Sequence, residues 1–410
     1  MSADQISEQM DLIRRGAADI VPEEELIAKI GRSLRDGKPL RVKLGLDPTA
    51  PDIHVGNAVP LHKMRTFQDL GHQAVLILGD YTAMVGDPSG QNAMRPQLSH
   101  EEVMANAQTY LAQVGKIIDV DAAEVRYNGE WFSGMSFGDV IRLAAKLTLA
   151  RCIERDDFAQ RMQAGQPISL HELLYPLMQA YDSVMVRSDV ELGGTDQLFN
   201  IMLGRDLQRQ VGMEPQVVIT NPLLEGLDGV QKMSKSKGNY IGISEAPDTI
   251  FGKAMSIPDA LMRKYFILTT DLPMERIEVL MSPKTHPRDA KVELAASIVQ
   301  RYYDGRAAER AREGFDTVFR IGGLPEEMPD VVVPAGQLAD GRIWIVQLLR
   351  LAGLARTGGE ARRLVEQGGV SMGADADSLQ VVQDPTADVE VREGAVLKVG
   401  KRRFCRLKLG

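Results

Sequence analysis

Cysteine is nearly absent from this chain: Cys152 and Cys405 are the only two among 410 residues. Two thiols make neither a disulfide framework nor a metal cluster, so a reducing, cytoplasmic setting is expected. Long apolar runs are missing too. No stretch approaches the roughly 18 residues of a membrane span. The N-terminal MSADQISEQMDLIRRGAADI is acidic and amphipathic, without the apolar core of a signal peptide. Internal repeats and low-complexity tracts are also lacking. So is an excess of positive charge, since the formal net charge is −8. Net charge averages over domains, however, and local charge decides where phosphate binds. The stretch Lys398-Val-Gly-Lys401-Arg402-Arg403-Phe-Cys-Arg406-Leu-Lys408 is plainly basic. Taken alone, it is equally well a solvated C-terminal strand.

What is present is the composition of an ordinary globular protein, 44% hydrophobic and 25% charged. The length suggests two or three domains at roughly 100–200 residues each. Residues 1–38 read as helical, with Ile6, Met10, Ile13, Ile20 and Leu26 spaced among charges. Arg41-Val42-Lys43-Leu44-Gly45-Leu46 alternates and ends at Asp47-Pro48-Thr49, a strand running into a turn. A helix follows over about residues 56–70, and Ala74-Val75-Leu76-Ile77-Leu78-Gly79 has the pattern of a strand buried on both faces. Strand, helix and strand at this spacing form a βαβ unit, which predicts an α/β fold with a doubly wound, Rossmann-type parallel sheet. Residues 99–114 and 137–164 read as amphipathic helices, separated by a strand at Glu124–Tyr127, and residues 217–220 as another buried strand. Helical pattern dominates residues 248–313. Residues 321–338, with several prolines, glycines and acids, read as a linker. Helical periodicity returns over 342–367, and the tail breaks into short alternating segments.

Two segments point to phosphate chemistry. In Asp47-Pro-Thr49-Ala-Pro-Asp-Ile-His54-Val-Gly56-Asn57 a strand ends, a polar turn follows and a helix starts. Backbone N–H groups and the helix dipole at such a start favour an anion. Gly56 lets a nucleotide approach the backbone, and His54 can hydrogen-bond a phosphate. Alone, this is also a capped helix start with a surface histidine. In Gly229-Val-Gln-Lys232-Met233-Ser234-Lys235-Ser236-Lys237-Gly238-Asn239, lysines and serines crowd a glycine-flanked loop able to screen a triphosphate. Alone, this is an exposed basic loop. In one chain and in this order, the pair resembles the HIGH and KMSKS motifs of class I aminoacyl-tRNA synthetases. KMSKS stands unaltered, and HIGH is present as HVGN. The resemblance implies that His54 and Lys235 stabilise the transition state of adenylate formation and that Lys232 assists on the β- and γ-phosphates. It further implies ATP carrying its own Mg²⁺, with no dedicated metal site. Asn57 departs from the motif, but an amide still hydrogen-bonds ribose or ATP.

Tyr175-Pro-Leu-Met-Gln179-Ala-Tyr-Asp182 sets Tyr175, Gln179 and Asp182 on one helical face among apolar neighbours. A polar stripe in such a setting needs partners: each other, water or a ligand. Gly79-Asp80-Tyr-Thr-Ala-Met-Val-Gly86-Asp87-Pro-Ser-Gly90 and Leu192-Gly193-Gly194-Thr195-Asp196-Gln197 are glycine turns carrying carboxylates. DPTAPDIHVGN, GDPSG, QAYD and GGTDQ, in that order, resemble the tyrosyl-tRNA synthetase family, from about Arg41 to the C-terminus. By that resemblance Asp182 accepts a hydrogen bond from the phenol of tyrosine. Asp87, Tyr175 and Gln179 bind its ammonium group, and Gly45 and Gln197 lie beside it. Asp47, Thr49, His54, Gly56, Asn57, Gly194, Asp196 and Lys235 form the ATP site, with Asn57 and Arg95 added to the catalytic set. Two positions depart. Lys43 stands where many members have a tyrosine that contacts the phenol. Gln91 has lost a charge from the loop that grips pyrophosphate, leaving Arg95.

Residues 342–410 resemble the small αL-motif RNA-binding domain of bacterial members, which binds the long variable arm of the tRNA. Arg362, Arg363, Lys401, Arg402 and Arg403 are its candidate tRNA contacts. The implied organisation is a catalytic domain at 1–245 and a helical tRNA-binding domain at 246–325. A linker at 326–341 and an α+β RNA-binding domain at 342–410 follow. The expected partners are tRNA(Tyr), tyrosine, ATP and a second copy of the chain, with no membrane. Tryptophan as substrate, or a paralogue that binds RNA without aminoacylating, are the competing readings.

Overall fold

Short runs rich in Val, Ile and Leu, each stopped by a turn, build the sheet at the centre of the first part of the chain. In chain order its strands are β1 (Asp19–Val21), β2 (Arg41–Leu46), β3 (Gln73–Leu78), β4 (Glu124–Tyr127), β5 (Val190–Gly194) and β6 (Val217–Asn221). Across the sheet the order is β1-β6-β5-β2-β3-β4. All neighbours are parallel except β1 and β6. β2 and β3 pair along their whole length, from Arg41 opposite Gln73 to Leu46 opposite Leu78. β2 and β5 share only the rungs Val42–Val190 and Lys43–Glu191. The strand order reverses at this seam, so β2 and β5 part beyond Lys43 and open a crevice at their carboxyl ends. Doubly wound sheets bind their ligands at such a switch point. The Rossmann-type α/β expectation holds.

This computed structural model describes residues 3–48, 52–87, 99–317, 328–374, 378–400 and 403–410. It divides into two units, Met1–Asp304 and Gly305–Gly410. In the first unit the expected N-terminal helical stretch is helix α1 (Ala3–Arg14), strand β1 and helix α2 (Glu23–Asp36). Gly16, at a left-handed φ of 68°, ends α1. A three-residue edge strand is too short for its alternation to be seen in sequence. Helix α3 (Val55–Asp69) connects β2 to β3, with Leu61, Met64 and Phe67 fully buried. The buried ammonium of Lys63 on α3 donates to the carbonyls of Ile13 and Arg15, each at 2.5 Å. It thereby satisfies carbonyl groups at the end of α1 and joins the two helices. Residues 137–164 form three short helices, Phe137–Ala144, Leu149–Ile153 and Asp156–Gln163. Ser136 and Thr148 restart the first two as side-chain caps.

The second unit has a five-stranded sheet and a two-stranded one. Its strands are β7 (Asp330–Val333), β8 (Arg342–Trp344), β9 (Val370–Gly373), β10 (Gln380–Val381), β11 (Asp388–Glu390), β12 (Val396–Val399) and β13 (Arg403–Leu409). The orders are β10-β9-β12-β13-β7 and β11-β8. Helices Ile345–Leu351 and Gly358–Glu366 pack on a core that includes Val333, Leu348, Val365, Leu397 and Leu407. Here the linker expectation fails within the described residues. β7 runs parallel to β13, and Val333 is fully buried. Prolines at 329 and 334 make the segment look irregular, but its valines pair with a strand seventy-six residues further on. Helix Gly305–Asp316, expected within the helical domain, belongs to the second unit.

Candidate active site

The HVGN segment is sewn by backbone to residues 241–243, just beyond the KMSKS loop. His54 forms a bridge with Gly242, Val55 N donates to Ile241 O at 2.9 Å, and Ile243 N donates to Ile53 O at 3.0 Å. His54 is the N-cap of α3, its Nδ1 accepting the Asn57 N–H at 3.1 Å. With Nδ1 used as an acceptor, the neutral ring carries its proton on Nε2. Burial, then the charges of Lys235 and Lys232, push the His54 pKa down to about 3. The ring is therefore a neutral donor at physiological pH. Gly56 lies against Met233: a Cβ on it would stand 3.5 Å from the Met233 Cβ. In the KMSKS loop Met233 is buried, and Asn239 Oδ1 accepts the Ser234 N–H at 2.8 Å. Lys235, whose pKa burial lowers, donates to Asp52 O; Lys232 pairs with Asp196 at 2.5 Å. His54, Lys232 and Lys235 thus gather at the start of α3.

At the carboxyl end of β2, Asp47 accepts from Tyr175 Oη and Thr82 Oγ1, each at 2.7 Å. Gly79 is required here. A Cβ on it would meet both Asp47 Oδ1 and Thr82 Oγ1 at 2.1 Å. Burial, followed by the charges of Asp47 and Asp87, raises the Tyr175 pKa well above the ordinary phenol value, so it stays a donor. Gly45, one residue past the Lys43-Leu44 pair on β2, is exposed and has no atom within 4 Å of a notional Cβ. Space remains open there, at the mouth of the crevice.

Helix Leu170–Met185 supplies Tyr175, Gln179 and Asp182. Asp182 is buried, with Oδ1 accepting from Trp131 Nε1 at 2.9 Å and Oδ2 from Asn128 Nδ2 at 3.3 Å. Burial raises its pKa to about 7, opposed by Lys43 and by these two donors. Each carboxylate oxygen has lone-pair capacity for a further donor. Beside it runs an amide chain. Asn200 Nδ2 donates to Gln179 Oε1 and Gln197 Oε1, both at 3.0 Å, and Gln197 Nε2 donates to Asp87 Oδ2 at 2.8 Å. Arg155 lies 3.8 Å from Asp87 and donates to Asn200 Oδ1 at 3.3 Å.

Asp47, Asp87, Tyr175, Gln179, Asp182 and Gln197 are therefore brought together, with the charges of Asp47, Asp87 and Asp182 all acting on Tyr175, and His54, Lys232, Lys235 and Asp196 form a second group. Gly194 leads into the turn that carries Asp196, and a Cβ on it would stand 2.5 Å from Asp196 Oδ1. Asn57 is exposed at the first turn of α3. Thr49, Arg95, Lys401 and Arg402 lie outside the described residues. In the second unit Arg362, Arg363 and Arg403 are exposed; Arg362 stacks 5.5 Å over the Trp344 ring, and Arg403 donates to Leu354 O at 2.7 Å. Sequence reasoning missed Asn128, Trp131, Arg155 and Asn200. Only the turn Tyr127-Asn128-Gly129 after β4, at a strand's carboxyl end, could have drawn notice to the first two.

Comparison with known proteins agrees with this geometry. Residues 35–320 match the family described as tRNA synthetases class I (W and Y). The Tyrosine--tRNA ligase of Moorella thermoacetica is 51% identical over 407 residues, covering 98% of this chain and 96% of that protein. The one from Symbiobacterium thermophilum is 52% identical over 410 residues, covering 98% of each. Among solved structures, tyrosyl-tRNA synthetase complexed with L-tyrosine from Archaeoglobus fulgidus has a TM-score of 0.60 at 24% identity. It covers 75% of this chain and 99% of that one, a likeness of fold. These matches converge: the chain belongs to the tyrosine–tRNA ligase family of class I synthetases.

Proposed function

We infer that this chain activates tyrosine with ATP and passes it to the 3′ end of tRNA(Tyr). In the first step a tyrosine carboxylate oxygen attacks the α-phosphorus and pyrophosphate leaves, giving tyrosyl-adenylate. In the second, a ribose hydroxyl of the terminal adenosine attacks the tyrosyl carbonyl and AMP leaves. No group on the chain needs to bond covalently to the substrate, so rate comes from positioning and charge stabilisation. The observation that carries the tyrosine reading is the buried Asp182 carboxylate, held by Trp131 and Asn128 in the crevice. A phenol donates to it; phenylalanine leaves it without that bond, and a buried polar group deprived of a partner is costly.

In this reading Asp87, Tyr175, Gln179 and Gln197 receive the amino-acid end of tyrosine, with Gly45 leaving room beside them. Asp47, Thr49, Gly56, Asn57, Gly194 and Asp196 hold the nucleotide. Neutral His54 donates through Nε2 to the phosphate that gains charge, supported by Lys235, while Lys232 and Arg95 take pyrophosphate. Mg²⁺ arrives on ATP. Arg362, Arg363, Lys401, Arg402 and Arg403 meet tRNA phosphates. Residues up to 245 serve as the catalytic domain and the helices after them approach the tRNA, with the RNA-binding domain beginning at β7. A homodimer is supported by the exposed apolar side chains Phe137 (80% exposed), Ile141, Leu149 (62%) and Met162 on neighbouring short helices. Cytoplasmic residence is supported by free, buried thiols at Cys152 and Cys405.

The family match admits tryptophan as well as tyrosine. Amino-acid-dependent ATP–pyrophosphate exchange with tyrosine, tryptophan and phenylalanine tests the reading. Exchange with tyrosine alone is expected; its absence refutes the reading, and exchange with tryptophan instead replaces the substrate.

A further inference from the structure

Lys43 and Glu191 form an ion pair that none of these roles uses. Their side chains are 0% and 1% exposed, and they face each other across the last rung that β2 and β5 share. Lys43 Nζ donates to Glu191 Oε1 at 2.9 Å, to Ser183 Oγ at 2.7 Å and to the Gln179 carbonyl at 3.0 Å. All three ammonium protons are engaged. Glu191 is equally saturated. Its Oε1 also accepts from Gln179 Nε2 at 3.2 Å, and its Oε2 from Ser183 Oγ at 2.7 Å and Gln216 Nε2 at 2.5 Å. Gly204 makes the space, since a Cβ there would stand 2.7 Å from Gln216 Nε2 and 3.0 Å from Ser183 Oγ.

Stability does not account for such a pair. A buried ion pair exchanged for apolar side chains of similar volume is often neutral or stabilising. What distinguishes this one is its reach. It grips Gln179 at both its carbonyl and its side-chain amide. Gln179 is joined through Asn200 to Gln197, and Gln197 to Asp87. Its cation also acts on Asp182, one turn along from Gln179 on the same helix.

We propose that the Lys43–Glu191 pair is a positioning device for the tyrosine crevice, which orients Gln179 and places a positive charge near Asp182. It sets affinity for tyrosine and discrimination against phenylalanine without touching either. This rests on the tyrosine-activating reading.

The test uses the full chain and four variants: Lys43→Met, Lys43→Arg, Glu191→Gln and the double variant Lys43→Met/Glu191→Gln. Pyrophosphate exchange yields kcat and KM for tyrosine, for phenylalanine and for ATP, and a thermal melt reports folding. Lys43→Met is expected to raise the tyrosine KM and lower the tyrosine-over-phenylalanine ratio, each by about tenfold, with the ATP KM within about twofold of the parent. Removing both charges is expected to return the melting temperature towards the parent while the tyrosine defect persists. Lys43→Arg, which keeps the charge, is expected to retain more of the selectivity than Lys43→Met. A double variant with parental tyrosine KM and selectivity overturns the proposal. So do losses in all parameters that follow the melting temperature. A parent that fails to exchange with tyrosine refutes the functional reading instead, which separates the two failures.

Discussion

The indole N–H of Trp131 donates to Asp182 Oδ1 at 2.9 Å, across fifty-one residues of sequence, and orients the carboxylate proposed to accept a phenol. A hydrogen bond to a charged group contributes about 1.5–3 kcal/mol. Trp131→Phe keeps most of the ring packing and removes this donor. We expect kcat/KM for tyrosine to fall roughly ten- to hundredfold in pyrophosphate exchange, with the ATP KM unchanged. Asp182→Ala should abolish measurable tyrosine activation while the chain still folds. Parental activity in Asp182→Ala would remove Asp182 from the phenol site.

Asp182 also links stability to pH. Its folded pKa, about 7, lies above the ordinary carboxylate value because burial opposes its charge. Between those pKa values the folded chain holds a proton that the unfolded chain has released. The contribution is therefore present below about pH 4 and is lost as pH rises through 7. Asp182→Asn removes that loss. Its melting temperature relative to the parent should increase between pH 5 and pH 8; a constant difference would show that the carboxylate does not titrate in this range.

His54 carries the opposite sign. Its folded pKa is lowered to about 3, mainly by burial, so the unfolded chain takes up the proton first. Stability is lost as pH falls from about 6.5 towards 3. His54→Asn retains an acceptor for the Asn57 N–H and removes the titration. The variant should melt with a shallower acid dependence, and kcat for exchange should drop on the order of a hundredfold, as for loss of one preorganised donor. A kcat within about threefold of the parent would exclude His54 from the transition state.

Lys232 and Asp196 pair at 2.5 Å on a partly exposed surface. Such pairs contribute about 0–1 kcal/mol to stability. Asp196→Asn should leave the melting temperature nearly unchanged and raise the ATP KM, as expected from the nucleotide-holding role proposed for it. A change in melting without a change in ATP KM would make the pair structural.

Arg362 and Arg363 are exposed on the helix Gly358–Glu366. Converting both to Ala should weaken aminoacylation of tRNA and flatten its dependence on salt by about 0.7–0.9 per lost phosphate contact. Pyrophosphate exchange, which needs no tRNA, should be untouched. An unchanged salt slope would place the tRNA elsewhere.

Much of this molecule is legible along the chain because its cues are local. β3 is visible because five consecutive side chains from Ala74 to Leu78 are buried, and apolar runs of that length are strands. HVGN and KMSKS are contiguous, so their chemistry is readable before any folding. Tyr175, Gln179 and Asp182 are legible because a helix repeats every 3.6 residues and puts them on one face. β1 and β7 are not legible, since edge strands of three and four residues are defined by partners far along the chain.

Local cues along the chain are enough for the α/β class, the HVGN and KMSKS segments and the helix that carries Tyr175, Gln179 and Asp182. Tertiary structure alone decided where the crevice opens, because that depends on β5 taking its place beside β2 for two rungs only. It also decided which groups hold Asp182 and what Lys43 does. In sequence Lys43 is a departure from a motif. In the folded chain it is a saturated cation opposite Glu191, because a buried charge persists only where its partners are supplied, here by β5 through Glu191 and by the helix Leu170–Met185 through Gln179 and Ser183.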